Sequence, residues 1–263
     1  MKVLFIGDIV GKIGRRIVKD KINYFVEKYN IDFVIANGEN ATHGKGLIYN
    51  HYNELINSGI DCITLGNHYD SKSEITRYID RVDRLVRPVN LIKPFPGEGS
   101  IIFDIDGINI RVTNILGEAF INEQVNNPYY AMLEVMSEDE QVNIDIIDFH
   151  GEATAEKMAF ARAFDGKVAA VLGTHTHVQT NDAHILPKGT AFISDVGMCG
   201  EYDSVLGFET ESVVKKTIYG GEGKFQLHDE GKGLFSAVVI DIDETTGLSR
   251  DIFSIYYIEG EDR

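Results

Sequence analysis

Five apolar runs, residues 3–6, 33–36, 63–65, 144–149 and 168–172, constrain this chain more than any other feature. They show little inside–outside alternation, the pattern of strands covered on both faces, as in a parallel sheet sandwiched by helices. Each run ends in a short polar cluster: Asp8, Glu39-Asn40, Asn67-His68, His150 and His175-Thr176-His177. In open α/β sheets ligands bind at the carboxyl ends of the strands, so a parallel arrangement gathers clusters spread from Asp8 to His177.

The segments between the runs support this reading. Residues 2–7, 32–37 and 61–66 alternate as strands with helices at 14–29 and 47–57; the first helix carries Ile17, Ile22, Phe25, Val26 and Tyr29. From Arg87 the texture changes, and Pro88, Pro94, Pro96, Gly97 and Gly99 mark a loop. Runs 101–105 and 108–115 flank Asp106-Gly107, a strong hairpin signature. A strand at 144–149, a helix near 153–164 and strands at 168–172 and 190–194 follow, and a second hairpin joins 235–242 to 251–258 around Thr245-Thr246-Gly247. Parallel units combined with hairpins predict a layered α/β sandwich with mixed sheets, in one domain over residues 1–263.

Charge narrows the partners. The net charge of −16, from 41 acidic and 25 basic residues, opposes binding to duplex nucleic acid or an anionic membrane surface. Arg15-Arg16 and Lys215-Lys216 are isolated pairs on expected helices, not a basic stripe, so an anionic substrate must be attracted locally. No run approaches the roughly 18 apolar residues of a membrane span. Residues 3–6 are too short for a signal peptide and Asp8 interrupts them, so a cytoplasmic location is expected. Cys62 and Cys199 are too few for a disulfide framework, and Cys62 is expected in the core.

The chemistry of the clusters is that of a site for two metals. Asp8 either caps a helix beginning near Gly14 or binds a cation. Glu39 can give one oxygen to each of two ions about 3.5–4 Å apart, and Asn40 can add a carbonyl oxygen. Lys45, in His43-Gly44-Lys45-Gly46, either meets a phosphate or is solvated; His43 is the other candidate substrate contact. The amide of Asn67 suits a hard cation, while His68 can serve as general acid. His150 alone reads equally as a satisfied core histidine. His175 and His177, two apart in an expected extended segment, point to one side and reach one metal pair. His51 and His228 are expected to be structural or solvated.

Asp8, Gly66-Asn67-His68, His150 and His175-Thr176-His177, in this order, resemble the motifs of the calcineurin-like metallophosphoesterase superfamily. Two positions depart: Val10 stands where that pattern has a histidine, and Asn37-Gly38-Glu39-Asn40 replaces its Gly-Asp motif. Those departures are similar to the bacterial YmdB-like phosphodiesterases. So are Ile6-Gly7-Asp8-Ile9-Val10-Gly11, Gly173-Thr174-His175-Thr176-His177-Val178-Gln179-Thr180 and Asp195-Val196-Gly197-Met198, and the resemblance covers essentially the whole chain. It is looser after His68, where Tyr69-Asp70 stands in place of a tryptophan-containing segment.

The resemblance implies two mixed central sheets flanked by helices, a pair of divalent metals (iron or manganese, with zinc not excluded), and hydrolysis of cyclic nucleotides, 2′,3′-cyclic ones above all. It assigns Asp8, Glu39, Asn40 and His177 to one metal and Glu39, Asn67, His150 and His175 to the other, with His68 as proton donor to the leaving oxygen after attack by hydroxide. A phosphomonoesterase or protein phosphatase on the same metal core, and a slow regulatory nucleotide- or partner-binding protein, are the competing expectations. Self-association is left open.

Overall fold

The computed structural model describes residues 1–137 and 141–261. In chain order the elements are β1 (Lys2–Ile6), β2 (Asp8–Ile9), α1 (Gly11–Tyr29), β3 (Phe33–Asn37), α2 (Tyr49–Asn57), β4 (Cys62–Thr64), β5 (Leu85–Val86), β6 (Ser100–Ile105) and β7 (Ile108–Leu116). There follow α3 (Pro128–Ser137), β8 (Ile144–His150), α4 (Thr154–Ala163), β9 (Ala170–Thr174), β10 (His184–Ile185), β11 (Ala191–Ile193), β12 (Met198–Glu201), α5 (Thr210–Thr217), β13 (Gly233–Asp243) and β14 (Leu248–Ile258). Among the described residues no helix is long and apolar enough to cross a membrane.

Two mixed sheets face each other. One has the order β2-β12-β13-β1-β3-β4-β5, with β14 also paired to β13; the other runs β10-β11-β9-β8-β7-β6. Within them β1-β3-β4-β5 and β7-β8-β9-β11 are parallel, and the two hairpins supply antiparallel partners. The first strand explains its own sequence. Val3 and Phe5 face the second sheet and pack with Ile110, Ile146 and Leu172. Leu4 and Ile6 face the other way, with Ile17, Ile22 and Phe25 of α1. Neither face meets water, so no polar alternation is needed; each such side chain contributes roughly 1.5–3 kcal/mol of burial. On the far side of the second sheet, Ile147 and Phe149 pack with Met132 and Val135 of α3 and Phe160 of α4. The result is the expected layered sandwich, with helices outside both sheets.

One helix lacked a readable pattern: α3 is apolar nearly all round, so no stripe marks it, although Asn127 accepts from the amide of Tyr129 beside Pro128 at the start, a recognisable helix entry. The expected helix around Lys215-Lys216 is α5, which buries none of its residues.

One close approach matters for the site. At Gly7 a Cβ would collide with the carbonyl oxygen of Gly197. Only glycine lets β1 pass there; the Asp8 amide then donates to that carbonyl (2.9 Å), and Asp8 pairs with Met198 of β12. Asp8 therefore leaves the edge of β13 and enters the strand-end space. It is not a helix cap: α1 starts at Gly11 behind Val10, with no side-chain cap.

Candidate metal centre at the strand ends

The polar clusters meet where the two sheets expose their carboxyl ends. Asp8 sits in β2, Glu39 and Asn40 two and three residues past β3, Asn67 and His68 past β4, His150 at the last position of β8, and His175 directly after β9. Around His150 three groups converge on one atom. Its Nε2 is 3.0 Å from Asn67 Oδ1, 3.1 Å from Glu39 Oε1 and 3.0 Å from His175 Nδ1. Ligand atoms of Glu39, His150 and His175 lie within 4.8 Å of one another. One N–H cannot satisfy three such partners, whereas a cation among them can accept all their lone pairs.

The outer nitrogens fix the tautomers. Thr174 Oγ1 donates to Asp148 Oδ1 (2.6 Å), so it accepts from His150 Nδ1 (2.8 Å), and Nε2 is the nitrogen that presents a lone pair to the cluster once the ring is neutral. His175 Nε2 faces Glu152 Oε2 at 3.2 Å, which leaves Nδ1 inward. His177 Nδ1 donates to the carbonyl of Leu206 (3.1 Å), while its Nε2 stands 3.8 Å from Asp8 Oδ1. Three imidazoles held by their far nitrogens, with the near ones free, match the outer-shell pattern of metal-ligating histidines.

Two of the buried oxygens without hydrogen-bond partners lie at this centre. Asn40 spends its amide nitrogen on the Gly44 carbonyl (3.0 Å), leaving Oδ1 without a hydrogen bond, and Asp8 Oδ1 has none either. Unpaired buried oxygens are costly, and both point to a cation as the partner. Gly66 completes the cradle, because a Cβ there would come within 2.5 Å of His150 Nε2 and closer still to Glu39 Oε2. Carboxylate, amide and imidazole donors of this kind fit a divalent transition metal.

The electrostatics carry the same strain. Burial, only partly offset by His177 and His150, pushes the Asp8 carboxyl up to about 7. Glu39 is penalised by burial, yet His150 and then His68 hold it down to about 2. His150 is opposed by burial but raised to about 9 by Glu39, with Asp8 and Asp148 helping. Burial and the neighbouring His150 push His175 down to about 3. Burial, opposed by Glu39 and reinforced by Lys45, also lowers His68 below the ordinary imidazole value.

Beneath the centre lie supports that the sequence did not reveal. Asp148 accepts from Asn37 Nδ2 (3.0 Å), Thr64 Oγ1 (2.5 Å) and Thr174 Oγ1, tying β3, β4 and β9 to β8. Buried Lys157 of α4 donates to Asp195 Oδ2 and to the Thr174 carbonyl, each at 3.0 Å. Asp195 in turn accepts from the amides of Thr176 (2.9 Å) and Gly197 (2.8 Å). His175 and His177 are not in an extended segment, as the spacing suggested. They have φ of 111° and 65°, so the loop doubles back under Lys157 and Asp195 and delivers the two rings to separate neighbours.

A cavity of about 220 Å³ opens over the donors, lined by Glu39, Asn40, Lys45, His68, His175 and His177 among others. His68 donates its amide to Glu39 Oε2 (2.9 Å). His43 is exposed and is not among the lining residues; its ring centroid is 6.3 Å from that of His51. His51 itself bonds Thr42 Oγ1 (2.8 Å). Tyr69 is buried, with its ring edge-on to Phe95 (4.7 Å) and not in the cavity lining.

Residues 4–255 match the family described as YmdB-like protein. A 2′,3′-cyclic-nucleotide 2′-phosphodiesterase of Bacillus subtilis is 46% identical over 247 residues, covering 94% of this chain and 93% of that one. A crystal structure from Mycoplasma pneumoniae, described as a novel phosphatase, superposes with a TM-score of 0.93 at 37% identity, covering 98% and 94% of the two chains. A hypothetical protein from Thermus thermophilus gives 0.91 at 36% identity, covering 98% of this chain and all of that one.

Proposed function

The chain belongs to the YmdB-like family, and from that membership and the donor geometry we propose that it hydrolyses cyclic phosphodiesters, 2′,3′-cyclic nucleotides first among them, with two divalent metal ions. It is a hydrolytic enzyme, as its 46% identity to a phosphodiesterase over 94% of the chain shows. The observation that carries the metal reading is the set of three histidines anchored through their outer nitrogens beside the unpartnered oxygens of Asp8 and Asn40. Asp8, Glu39, Asn40 and His177 would hold one ion and Glu39, Asn67, His150 and His175 the other. The absence of thiolate from that set favours Fe²⁺ or Mn²⁺ and accommodates Zn²⁺. Ions bound there supply the Lewis acidity that lets a phosphodiester be attacked near neutral pH.

The rest is the work of the chain. Glu39 and Asp8 contribute two negative charges, so the loaded centre keeps a positive balance and holds an anionic phosphate on a protein of net charge −16. Lys45, at the rim, draws the phosphate in. Burial lowers His68 in the free site, partly opposed by Glu39, and an arriving anion favours its protonated form. From the Asn67-His68 turn, His68 then gives its proton to the ribose oxygen that leaves. Ring opening relieves the strain of the cyclic phosphate, so one proton donor suffices.

The test pairs metal analysis of protein purified without oxygen with turnover on 2′,3′-cAMP, 3′,5′-cAMP and p-nitrophenyl phosphate. The 2′,3′-cyclic substrate should dominate. Faster turnover of p-nitrophenyl phosphate would make the enzyme a phosphomonoesterase, and full metal without turnover would make it a binding protein. His68→Ala should keep its metal and lose roughly 10²–10⁴-fold in turnover; undiminished turnover would remove His68 from the reaction.

A further inference from the structure

The cavity over the donors has a second wall that the hydrolysis just described does not use. Opposite the polar side stand Val205, Leu206, Phe208, Val213 and Phe225, all from the stretch between β12 and β13. None of these five side chains carries a hydrogen-bonding group. The wall is joined to the centre by the Leu206 carbonyl, which accepts from His177 Nδ1. Leu206 holds a φ of 55°, a left-handed backbone that a leucine adopts only when its surroundings require it. Leu206 and Phe225 remain 43% and 44% exposed, so the fold leaves this apolar surface uncovered beside its most polar cluster. The Phe208 and Phe225 rings are tilted together with centroids 5.6 Å apart. Lys216 Nζ lies over a face of the Phe225 ring, 4.8 Å from its centroid, so the ring at the cavity is already part of a cation–aromatic contact.

Size and chemistry define the occupant. About 220 Å³ is at the small end for a ligand pocket and suits a group the size of one nucleoside. An apolar, partly aromatic surface adjoining an anion site fits a flat ring carried one sugar away from a phosphate.

We propose that this wall is a nucleobase subsite, with Phe225 and Phe208 as its aromatic platform, which takes any base by stacking and contact without reading its edges. The proposal rests on the cyclic-nucleotide reading above and adds its base selectivity: purines and pyrimidines are separated only by contact area.

The experiment compares 2′,3′-cAMP, 2′,3′-cGMP and 2′,3′-cCMP with glycerol 1,2-cyclic phosphate, which has the strained diester and no base, on manganese-loaded wild type, Phe225→Ala and Phe225→Tyr. Stacking on an aromatic side chain is worth roughly 5- to 150-fold per base. Phe225→Ala should therefore lose that much in kcat/KM on the nucleotides, mainly through KM, and far less on glycerol cyclic phosphate. Phe225→Tyr should recover the difference. The three bases should stay within about tenfold of one another, because contact area alone separates them. Equal losses on both substrate types, or a 2′,3′-cAMP no better than glycerol cyclic phosphate in wild type, overturn the subsite and leave the hydrolase intact. If no cyclic phosphate is cleaved, the cyclic-phosphodiester reading fails, and equilibrium binding decides the subsite. Adenosine 2′-monophosphate must then bind wild type more tightly than inorganic phosphate does and lose that advantage in Phe225→Ala; otherwise the subsite falls too.

Discussion

Lys157→Met asks whether the buried ion pair under the His175–His177 loop holds that loop in place. Lys157 is 1% exposed, and its ammonium donates to Asp195 and to the Thr174 carbonyl. Methionine keeps much of the aliphatic stem and removes the charge. Asp195 is then left buried with only the backbone amides of Thr176 and Gly197, and the Thr174 carbonyl loses the Lys157 donor. Removing one partner of a buried pair costs about 3–5 kcal/mol, because the other charge stays uncompensated. For a chain of this size each kcal/mol is worth about 2–4 °C, so the metal-free protein should melt roughly 6–20 °C lower.

Adding Asp195→Asn removes the stranded charge. The double variant should therefore be more stable than the sum of the two single losses allows, with a coupling of about 0.5–3 kcal/mol. Urea denaturation of all four proteins, followed by circular dichroism, gives the cycle. A Lys157→Met loss under about 1 kcal/mol, or strictly additive single variants, would refute the clamp, since contacting buried charges cannot behave so. The variant should also bind metal more weakly while still folded, because the Thr176 amide that Asp195 holds lies between the two histidines.

Two further outcomes follow from the same geometry. Gly66→Ala should fold normally and lose metal, since its methyl would intrude on Glu39 Oε2 and His150 Nε2; metal content equal to wild type, by elemental analysis, would show that the cradle relaxes at no cost. The pH dependence of the metal-free protein should differ from that of the loaded one. His150 is raised from 6.5 to about 9, so the stability it adds is complete below about 6.5 and is lost as the pH rises to about 9. Asp8, raised from 3.8 to about 7, loses its share as the pH climbs through that range, while His175, lowered from 6.5 to about 3, loses its share as the pH falls through the same range. These two oppose each other, and the window from 7 to 9 belongs to His150. The melting temperature of metal-free protein should fall there and that of loaded protein should not. Calorimetry at pH 8 in two buffers should register proton release on metal binding, as a ligand nitrogen must shed its proton; no release would contradict the assignment.

Much of the centre was legible because parallel strands mark their own ends. An apolar run followed by a donor cluster places Asp8, Glu39, Asn67, His150 and His175 at one edge before any contact is known. Asp106-Gly107 and Thr245-Thr246-Gly247 likewise announced their hairpins. What stayed hidden depended on partners distant in sequence. The 175–177 spacing suggested an extended segment, but the Lys157–Asp195 pair bends it, and an isolated lysine in an amphipathic helix reads as a solvated one. The apolar wall at 205–225 has no periodicity that would single it out.

The same limit governs the acidic residues, and here it decides the chemistry. Asp8, Glu39, Asp148 and Asp195 all lie in or just after apolar runs, and each is at most 1% exposed. In sequence Asp8 and Glu39 were the candidates for a cation, and burial alone does not separate them from Asp148 and Asp195. The fold treats them differently. Asp195 receives the Lys157 ammonium and two amides. Asp148 receives three neutral donors, from Asn37, Thr64 and Thr174. Glu39 has the His68 amide and the contested His150 nitrogen, and Asp8 keeps one oxygen with no hydrogen bond at all. A buried carboxylate without compensation should be lost to mutation unless something outside the chain completes it. Asp8, with an oxygen left unpaired, and Glu39, whose His150 partner is shared with Asn67 and His175, are therefore the two carboxylates that would face the proposed ions, while Asp148 and Asp195 buttress the segments that carry the histidines. Neutralising Asp148 should thus disturb His150 through Thr174, whereas neutralising Asp8 should relieve the metal-free protein and abolish its affinity for metal in the same step.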